Sequence, residues 1–348
     1  MISARHAVVP TTLGLAAVGG LLVVARRAAA AIDRQPDPLR DRDLGPLPWP
    51  SRPVTSGDGT VLHVVEHGEG PAVVLTHGFV ADTSTWSLVG PMLVDRGFRV
   101  IAYDHRGHGR SARAGAAGYG FEAWAADLMS VVEASGVDDA TVVGHSMGGI
   151  GVLAAAHAHP ERFARHVGSA VFAASLAQGP GRPRWVGLKP HARTVMRYEF
   201  WRRRRTIGVA VAGRALGVER PASVVESVWR AHGRTPVTTI DGAGAWLLTF
   251  DATDMAARVT IPSVVLVGTH DRITPEPVAR RLAAALPAAE LRVLPGIGHA
   301  LPLEAPAALV DAVVHIGRAA RAQRGNAASA GGREGPTGPE RGAAEPPH

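Results

Sequence analysis

The chain of 348 residues is 46% hydrophobic and 19% charged, which excludes disorder throughout and leaves room for one large α/β domain with an insertion, or for two domains. It contains no cysteine, so disulfides, thiolate catalysis and cysteine-ligated zinc are excluded together, while the compartment stays open. The formal net charge of +7 is uneven: residues 177–245 hold 13 Arg or Lys against 4 Asp or Glu, and the rest of the chain sums to about −2.

In chain order, Ala7 to Ala25 comes first, a stretch without a charge. As a helix it would be about 28 Å long, against a hydrocarbon core of roughly 30 Å. Arg26 and Arg27 follow it and outnumber Arg5 before it, so it reads as a retained anchor with a cytoplasmic catalytic body. A signal peptide cut near Ala28 to Ala31, giving a secreted protein, is the alternative, and a buried or interfacial helix is a third. Residues 1–31 are thus an anchor or signal segment, and 32–50, rich in Pro, Asp and Arg, read as a tether. A folded body is expected over 51–317. Residues 318–348 lack large apolar side chains and read as a disordered tail.

Inside the body, Val61 to Glu66 after the Asp58-Gly59 turn reads as the second arm of a hairpin. Ala72 to Thr76, Arg99 to Tyr103, Ala140 to Val143, Ser263 to Val267 and Leu291 to Leu294 read as strands. Phe121, Trp124, Leu128, Val131 and Val132 recur at helical spacing, and Pro275 to Leu286 reads as a helix with Thr274 as its N-cap. Alternating strands and helices imply a mostly parallel sheet covered on both faces, with reactive residues at the carboxyl ends of its strands.

After Ala140 to Val143 comes Gly144-His145-Ser146-Met147-Gly148-Gly149. A serine on a sharp strand-to-helix turn is lifted into a site, provided the residues two before and two after it lack side chains; Gly144 and Gly148 do. A serine hydroxyl needs a base, and the base needs a group that fixes its tautomer. Asp271 follows the strand Ser263 to Val267, and His299 follows Leu291 to Leu294. The order Ser, Asp, His is the one that this sheet topology requires. Acyl chemistry also needs donors for an oxyanion: the peptide N–H of Met147, and that of Phe79 in His77-Gly78-Phe79-Val80, where Gly78 would permit the unusual backbone. His77 reads as a brace for that loop.

In these motifs, together with Asp104-His105-Arg106-Gly107-His108-Gly109-Arg110-Ser111, the chain resembles the α/β-hydrolase superfamily, in its esterase, lipase and haloperoxidase-like branch, over roughly residues 52 to 317. The resemblance implies an eight-stranded, mostly parallel sheet flanked by helices, with a helical cap after the sixth strand, Arg165 to Phe172. Residues 177–245 fit the cap, with helical runs at Thr206 to Leu216 and Ala222 to Ala231. Trp185, Tyr198, Phe200, Trp201 and Trp246 are candidates to line its pocket, with core packing the more ordinary role for each. The basic run Arg202 to Arg205 reads as a solvated face, with attraction to anionic lipid as the alternative. The resemblance gives the Asp104 to Ser111 loop a structural role, so His105 and His108 receive no catalytic one. It implies no metal and no organic cofactor.

The expected function is hydrolysis of a carboxylic ester, lipid-like or small, through an acyl-enzyme on Ser146. Thioester cleavage, carbon-carbon bond hydrolysis and cofactor-free perhydrolysis with the same residues stay open, and a non-catalytic binding protein is the reading from another class. The expected partners are the small-molecule or lipid ester and a membrane met through residues 7–25 and the basic cap, and no nucleic acid.

Overall fold

The computed structural model describes residues 9–114, 118–180 and 204–331. Helix α1 (Val9–Asp33) precedes a hairpin of β1 (Ser51–Thr55) and β2 (Val61–His67), followed by β3 (Ala72–Thr76), α2 (Val89–Asp95) and β4 (Arg99–Tyr103). Next come α3 (Phe121–Ala134), β5 (Ala140–His145), α4 (Met147–Ala158), α5 (Pro160–His166) and β6 (Val167–Ala173). Among the described residues four helices intervene before the next strand: α6 (Arg205–Ala212), α7 (Ala222–Arg234), α8 (Val237–Leu247) and α9 (Thr253–Ala256). The chain then adds β7 (Ser263–Gly268), α10 (Glu276–Ala285), β8 (Ala289–Leu294), α11 (Leu301–Glu304) and α12 (Pro306–Gly331).

One eight-stranded sheet runs in the order β1-β2-β4-β3-β5-β6-β7-β8. β2 pairs antiparallel with β1 and β4, and every later pairing is parallel. The central strands are short aliphatic runs buried on both faces, as helical layers on each side require. Along β3, Val74 packs with Trp124, Leu128 and Ile150 of α3 and α4, while Val73 and Leu75 pack on the other face with Leu93, Leu309 and Val313 of α2 and α12. Successive side chains of a strand point to opposite faces, so one five-residue strand serves both layers. Parallel strands also end on one edge, where the loops after β3, β5, β7 and β8 gather.

Two boundaries differ from the sequence reading. Residues 32–50 are not a free tether: Ile32, Leu44 and Leu47 are buried, the first two against Val209, Leu216 and Val224 of the cap. Asp37 accepts from the Ser223 N–H and hydroxyl (2.9 and 2.7 Å), Gln35 Oε1 accepts from the Arg220 N–H (2.8 Å), and the Ser227 hydroxyl donates to Leu44 O (2.7 Å). Isolated leucines and Asx side chains carry no periodic signal, yet they suffice to fasten a strap. The tail expected from 318 is helical as far as Gly331, with Ala320 buried and Arg324 paired to Asp139. Small alanines extend the buried face of α12 where no large apolar residue advertises it. Residues 332–348 lie outside the described residues.

Among the described residues no helix is long and apolar enough to cross a membrane. Residues 1–8, and the side chains of 9–19 and Leu21, lie outside the description, and most of the expected anchor falls there. Trp185, Tyr198, Phe200, Trp201, Arg202 and Arg203 lie outside it too.

Candidate active site

β5 ends at His145 and α4 begins at Met147, so Ser146 alone makes the turn, at φ 52° and ψ −116°. A side-chain-bearing residue in such a region costs on the order of 1–3 kcal/mol and persists where its surroundings over-determine it. Here the Ser146 N–H donates to Ala173 O (3.0 Å), and the Ser175 hydroxyl donates to Ser146 O (2.9 Å). The flanking glycines are required by space: a Cβ at Gly144 would lie 2.5 Å from Gly149 Cα, and one at Gly148 would collide with Thr76 O.

The loops after β7 and β8 bring Asp271 and His299 to this turn. The His299 Nδ1–H donates to Asp271 Oδ2 (2.9 Å), which leaves Nε2 as the acceptor for the Ser146 hydroxyl (3.2 Å). Asp271 is buried, and its carboxylate is fully bonded: Oδ1 accepts from the Ile273 and Thr274 N–H groups (both 2.8 Å), and Thr274 Oγ1 lies 2.7 Å from Oδ2. Burial pushes the Asp271 carboxyl up, but the His299 imidazole and the Thr274 bonds outweigh it, so the group lies below the ordinary carboxylate range. Thr274, expected as an N-cap, instead turns its hydroxyl to Asp271 and Ala174 O (3.0 Å), and Pro275 holds the cap position of α10.

Three supporting groups carry no sequence motif of their own: Thr274, Ser175 and His145. The His145 Nε2–H donates to His299 O (2.9 Å), and its ring lies 5.1 Å from the His299 ring. Burial, with the nearby His299, drives the His145 imidazole down to about 3, so it acts as a neutral donor. Their partners are three backbone carbonyls, of Ala174, Ser146 and His299, that only the folded sheet brings near, and the Asp271 carboxylate three residues before Thr274.

The loop after β3 crosses in front of Ser146. A Cβ at Gly78 would lie 2.9 Å from His145 Nδ1 and 3.2 Å from Ser146 Cβ, so Gly78 supplies room. The unusual backbone expected at Gly78 falls on Val80, at φ 51°. His77 donates from Nδ1 to Gly78 O (2.7 Å) and accepts the His105 N–H at Nε2 (2.9 Å). Neither the Phe79 nor the Met147 N–H donates to another backbone carbonyl among the described residues. Behind this loop Asp104 accepts from the Thr83 and Arg110 N–H groups (2.8 and 2.9 Å), and buried Arg106 pairs with Asp127 and Asp58. His105 and His108 are buried in this scaffold, where His105 Nε2 bonds to Thr76 Oγ1 (2.7 Å) and His108 Nδ1 to Arg106 O (3.0 Å).

A cavity of about 300 Å³ opens over Ser146 and His299. Its floor and walls are Phe79, Val80, Ala81, Ser84, Thr85 and Ile273, its near edge is Ala300, Pro302 and Leu303, and Ala215, Ser227, Val228, Ala231 and His232 of the cap roof it. No Asp, Glu, Lys or Arg is among these residues. Trp246 does not line the cavity; it stacks on Phe250 (5.1 Å) and meets Phe121 and Trp124 edge-on (4.5 and 4.7 Å) in the core. Arg234 of α7 fixes the roof to the floor, donating to both oxygens of buried Asp82 (2.5 and 3.1 Å). Among the described residues no group of three His, Cys, Asp or Glu could hold a metal ion.

Residues 71–306 match the family model described as the alpha/beta hydrolase fold. A non-heme haloperoxidase of Rhodococcus erythropolis is 31% identical over 264 residues, covering 71% of this chain and 92% of that one. An esterase from Exiguobacterium antarcticum superposes with a TM-score of 0.68 at 20% identity, over 77% of this chain and 100% of the other. The enol-lactonase from Burkholderia xenovorans superposes with a TM-score of 0.65 at 26% identity, over 76% and 99%. In strand order, in the parallel pairing of its centre and in its match over two thirds of its length, the chain belongs to the α/β-hydrolase family.

Proposed function

We propose that the protein is a serine hydrolase that cleaves a neutral carboxylic ester through an acyl-enzyme on Ser146. The observation that carries this is the unbroken line of hydrogen bonds from Ser146 Oγ through both His299 nitrogens to Asp271. In the first half-reaction Ser146 Oγ attacks the carbonyl carbon while His299 Nε2 takes its proton; Asp271 holds the tautomer and stabilises the imidazolium. The oxyanion is received by the Phe79 and Met147 peptide N–H groups, each of the kind whose loss costs about 2.7–4 kcal/mol. His299 then protonates the departing alkoxide. In the second half it deprotonates a water, which attacks the acyl carbon, releases the acid and restores Ser146.

The cavity supports the substrate class. Among the described residues its lining is mostly apolar and carries no Asp, Glu, Lys or Arg, and burying an ionised group there without a partner would cost several kcal/mol. A neutral acyl group of short to medium length fits about 300 Å³. Across p-nitrophenyl esters, kcat/KM is expected to rise and then fall within the short-to-medium chain range, and to drop at least tenfold when the acyl chain ends in a carboxylate. Preference for long chains or for the anionic ester would contradict this class.

Thioesters, carbon-carbon bonds and perhydrolysis use the same residues. Likeness to a haloperoxidase favours including hydrogen peroxide as an alternative to water in the second half-reaction, read as peracid formation from the acyl-enzyme. Contact with a lipid surface is part of the proposal: Val23 and Val24 are exposed on α1, whereas Ala25, Ala29 and Ile32 on its other side are buried. An exposed apolar helix face beside arginines suits an anionic interface.

A further inference from the structure

Glu304, the last residue of α11, lies five positions after His299 and beneath the junction of its loop with the cap. Its Oε2 accepts two peptide N–H groups: that of Gly217, in the cap loop between α6 and α7 (2.7 Å), and that of Gly298, immediately before His299 (3.0 Å). Its Oε1 is buried without a partner among the described residues. Around this point the two backbones are cross-linked directly: the His299 N–H donates to Ala215 O (2.6 Å), and the Val218 N–H donates to Gly296 O (2.8 Å). There is no slack between them, since a Cβ at Gly217 would collide with Gly296 O and one at Gly298 with Gly217 N.

The arrangement costs stability in isolation. Burial pushes the Glu304 carboxyl up, against the peptide N–H groups of Gly217, Gly298 and Ala300 that favour its charged form. A buried carboxylate that gathers peptide N–H groups from two separate segments of the chain calls for an explanation beyond packing. What it connects supplies one. Ala215, one end of the cross-link, lines the substrate cavity, and His299, the other, bonds to Ser146. We propose that Glu304 is a positioning residue that pins cap segment 215–218 to the His299 loop, so that the seating of the cap over the cavity sets the aim of His299 at Ser146. This rests on the reading of Ser146 and His299 as nucleophile and base.

The energetic leverage is geometric. Misplacing a catalytic group by about 1 Å costs on the order of 100-fold in rate, so a loosened His299 loop should lower kcat with little effect on KM. Glu304→Ala removes the shared acceptor and is expected to lower kcat about 10- to 100-fold with KM within about threefold. Glu304→Gln keeps an acceptor for the two N–H groups and should restore kcat to within about threefold of the unmodified protein. Gly217→Ala, a change in the cap that leaves the Ser146 and Glu304 side chains themselves intact, should lower kcat at least tenfold, and combining it with Glu304→Ala should add little further.

Amide hydrogen exchange gives a readout independent of turnover. Gly217→Ala, also in a Ser146→Ala background, should speed exchange in peptides covering 296–300 as well as in the cap. Folded Glu304→Ala and Gly217→Ala proteins with unchanged kcat, a loss confined to KM, or faster exchange confined to the cap would each overturn the pin. Should Glu304→Ala fail to fold, Gly217→Ala decides alone. If the unmodified protein neither hydrolyses esters nor reacts with a fluorophosphonate, the hydrolase reading falls, while exchange at 296–300 still decides whether cap and loop are coupled.

Discussion

His299 is held at its ring by Asp271, at its carbonyl by His145 and at its N–H by Ala215, so its ring meets Ser146 from a fixed direction. Thr274 steadies Asp271 in turn, and Thr274→Val, which keeps the shape and deletes the hydroxyl, is expected to lower kcat about tenfold, the equivalent of one lost hydrogen bond of ~1.4 kcal/mol. Steady-state kinetics with a p-nitrophenyl ester check this; an unchanged kcat would remove Thr274 from the site. Ser146, Asp271 and His299 were legible because each follows a recognisable strand and because glycines mark the elbow. The roles of Thr274, Ser175 and His145 were not, although His145 stood inside the elbow motif, since a hydroxyl or imidazole that bonds a distant backbone atom leaves no local pattern. The buried histidines set the acid response. Burial pushes His77, His105, His108, His145 and His232 below the ordinary imidazole value of 6.5, with His108 and His145 at about 3. The unfolded chain therefore binds more protons below pH 6.5, and the stability these groups lend is present above that pH and lost as pH falls toward 3. Melting temperatures should be level from pH 8 to 7 and fall progressively from 6.5 to 4.5; a melting temperature flat over the lower range would contradict neutral burial.

At the scale of elements, the central strands were readable to within two residues at each end, because β-branched runs between Gly and Pro signals leave few alternatives. The cap was readable as an insertion and as a pair of helices, α6 and α7, but not in its attachments. These are made by single side chains whose partners lie far along the chain: Arg234 with Asp82, and Thr239, whose hydroxyl donates to Gly107 O (2.9 Å). Asp82 is buried, and although burial pushes its carboxyl up, Arg234 holds it below the ordinary range. Removing the arginine leaves a buried charge without its partner, so Arg234→Ala should destabilise the protein by about 2 kcal/mol and raise KM as the roof loosens. Denaturant unfolding and the KM for a short-chain ester test the two halves of that statement, and no change in either would mean that α7 is held by its other contacts.

The whole molecule differs from the reading of tether, body and tail in that the expected tether, through Ile32, Leu44 and Leu47, and the first part of the expected tail, through Ala320, are packed into it. α1 and the strap lie against α6 and α7, and Ser227 joins the two regions, lining the cavity over Ser146 while bonding Leu44 O. A chain shortened to residues 48–348 is therefore expected to melt at a lower temperature and to hydrolyse short esters less efficiently. It should also lose binding to anionic lipid vesicles that the full chain shows in co-sedimentation. Wild-type activity and equal vesicle binding in the shortened chain would deny the segment both roles. Charge at this scale was legible as an excess in residues 177–245, while the shape of the pocket beneath it was not, because the lining comes from sheet-edge loops and cap segments at separate places in the chain. Mass-resolved labelling with a fluorophosphonate decides whether Ser146 is the nucleophile. One adduct per chain is expected, located on Ser146, with Ser146→Ala unlabelled and its esterase activity lower by about 1,000-fold or more; a folded protein that does not label, or a Ser146→Ala protein that still does, would rule Ser146 out as the nucleophile.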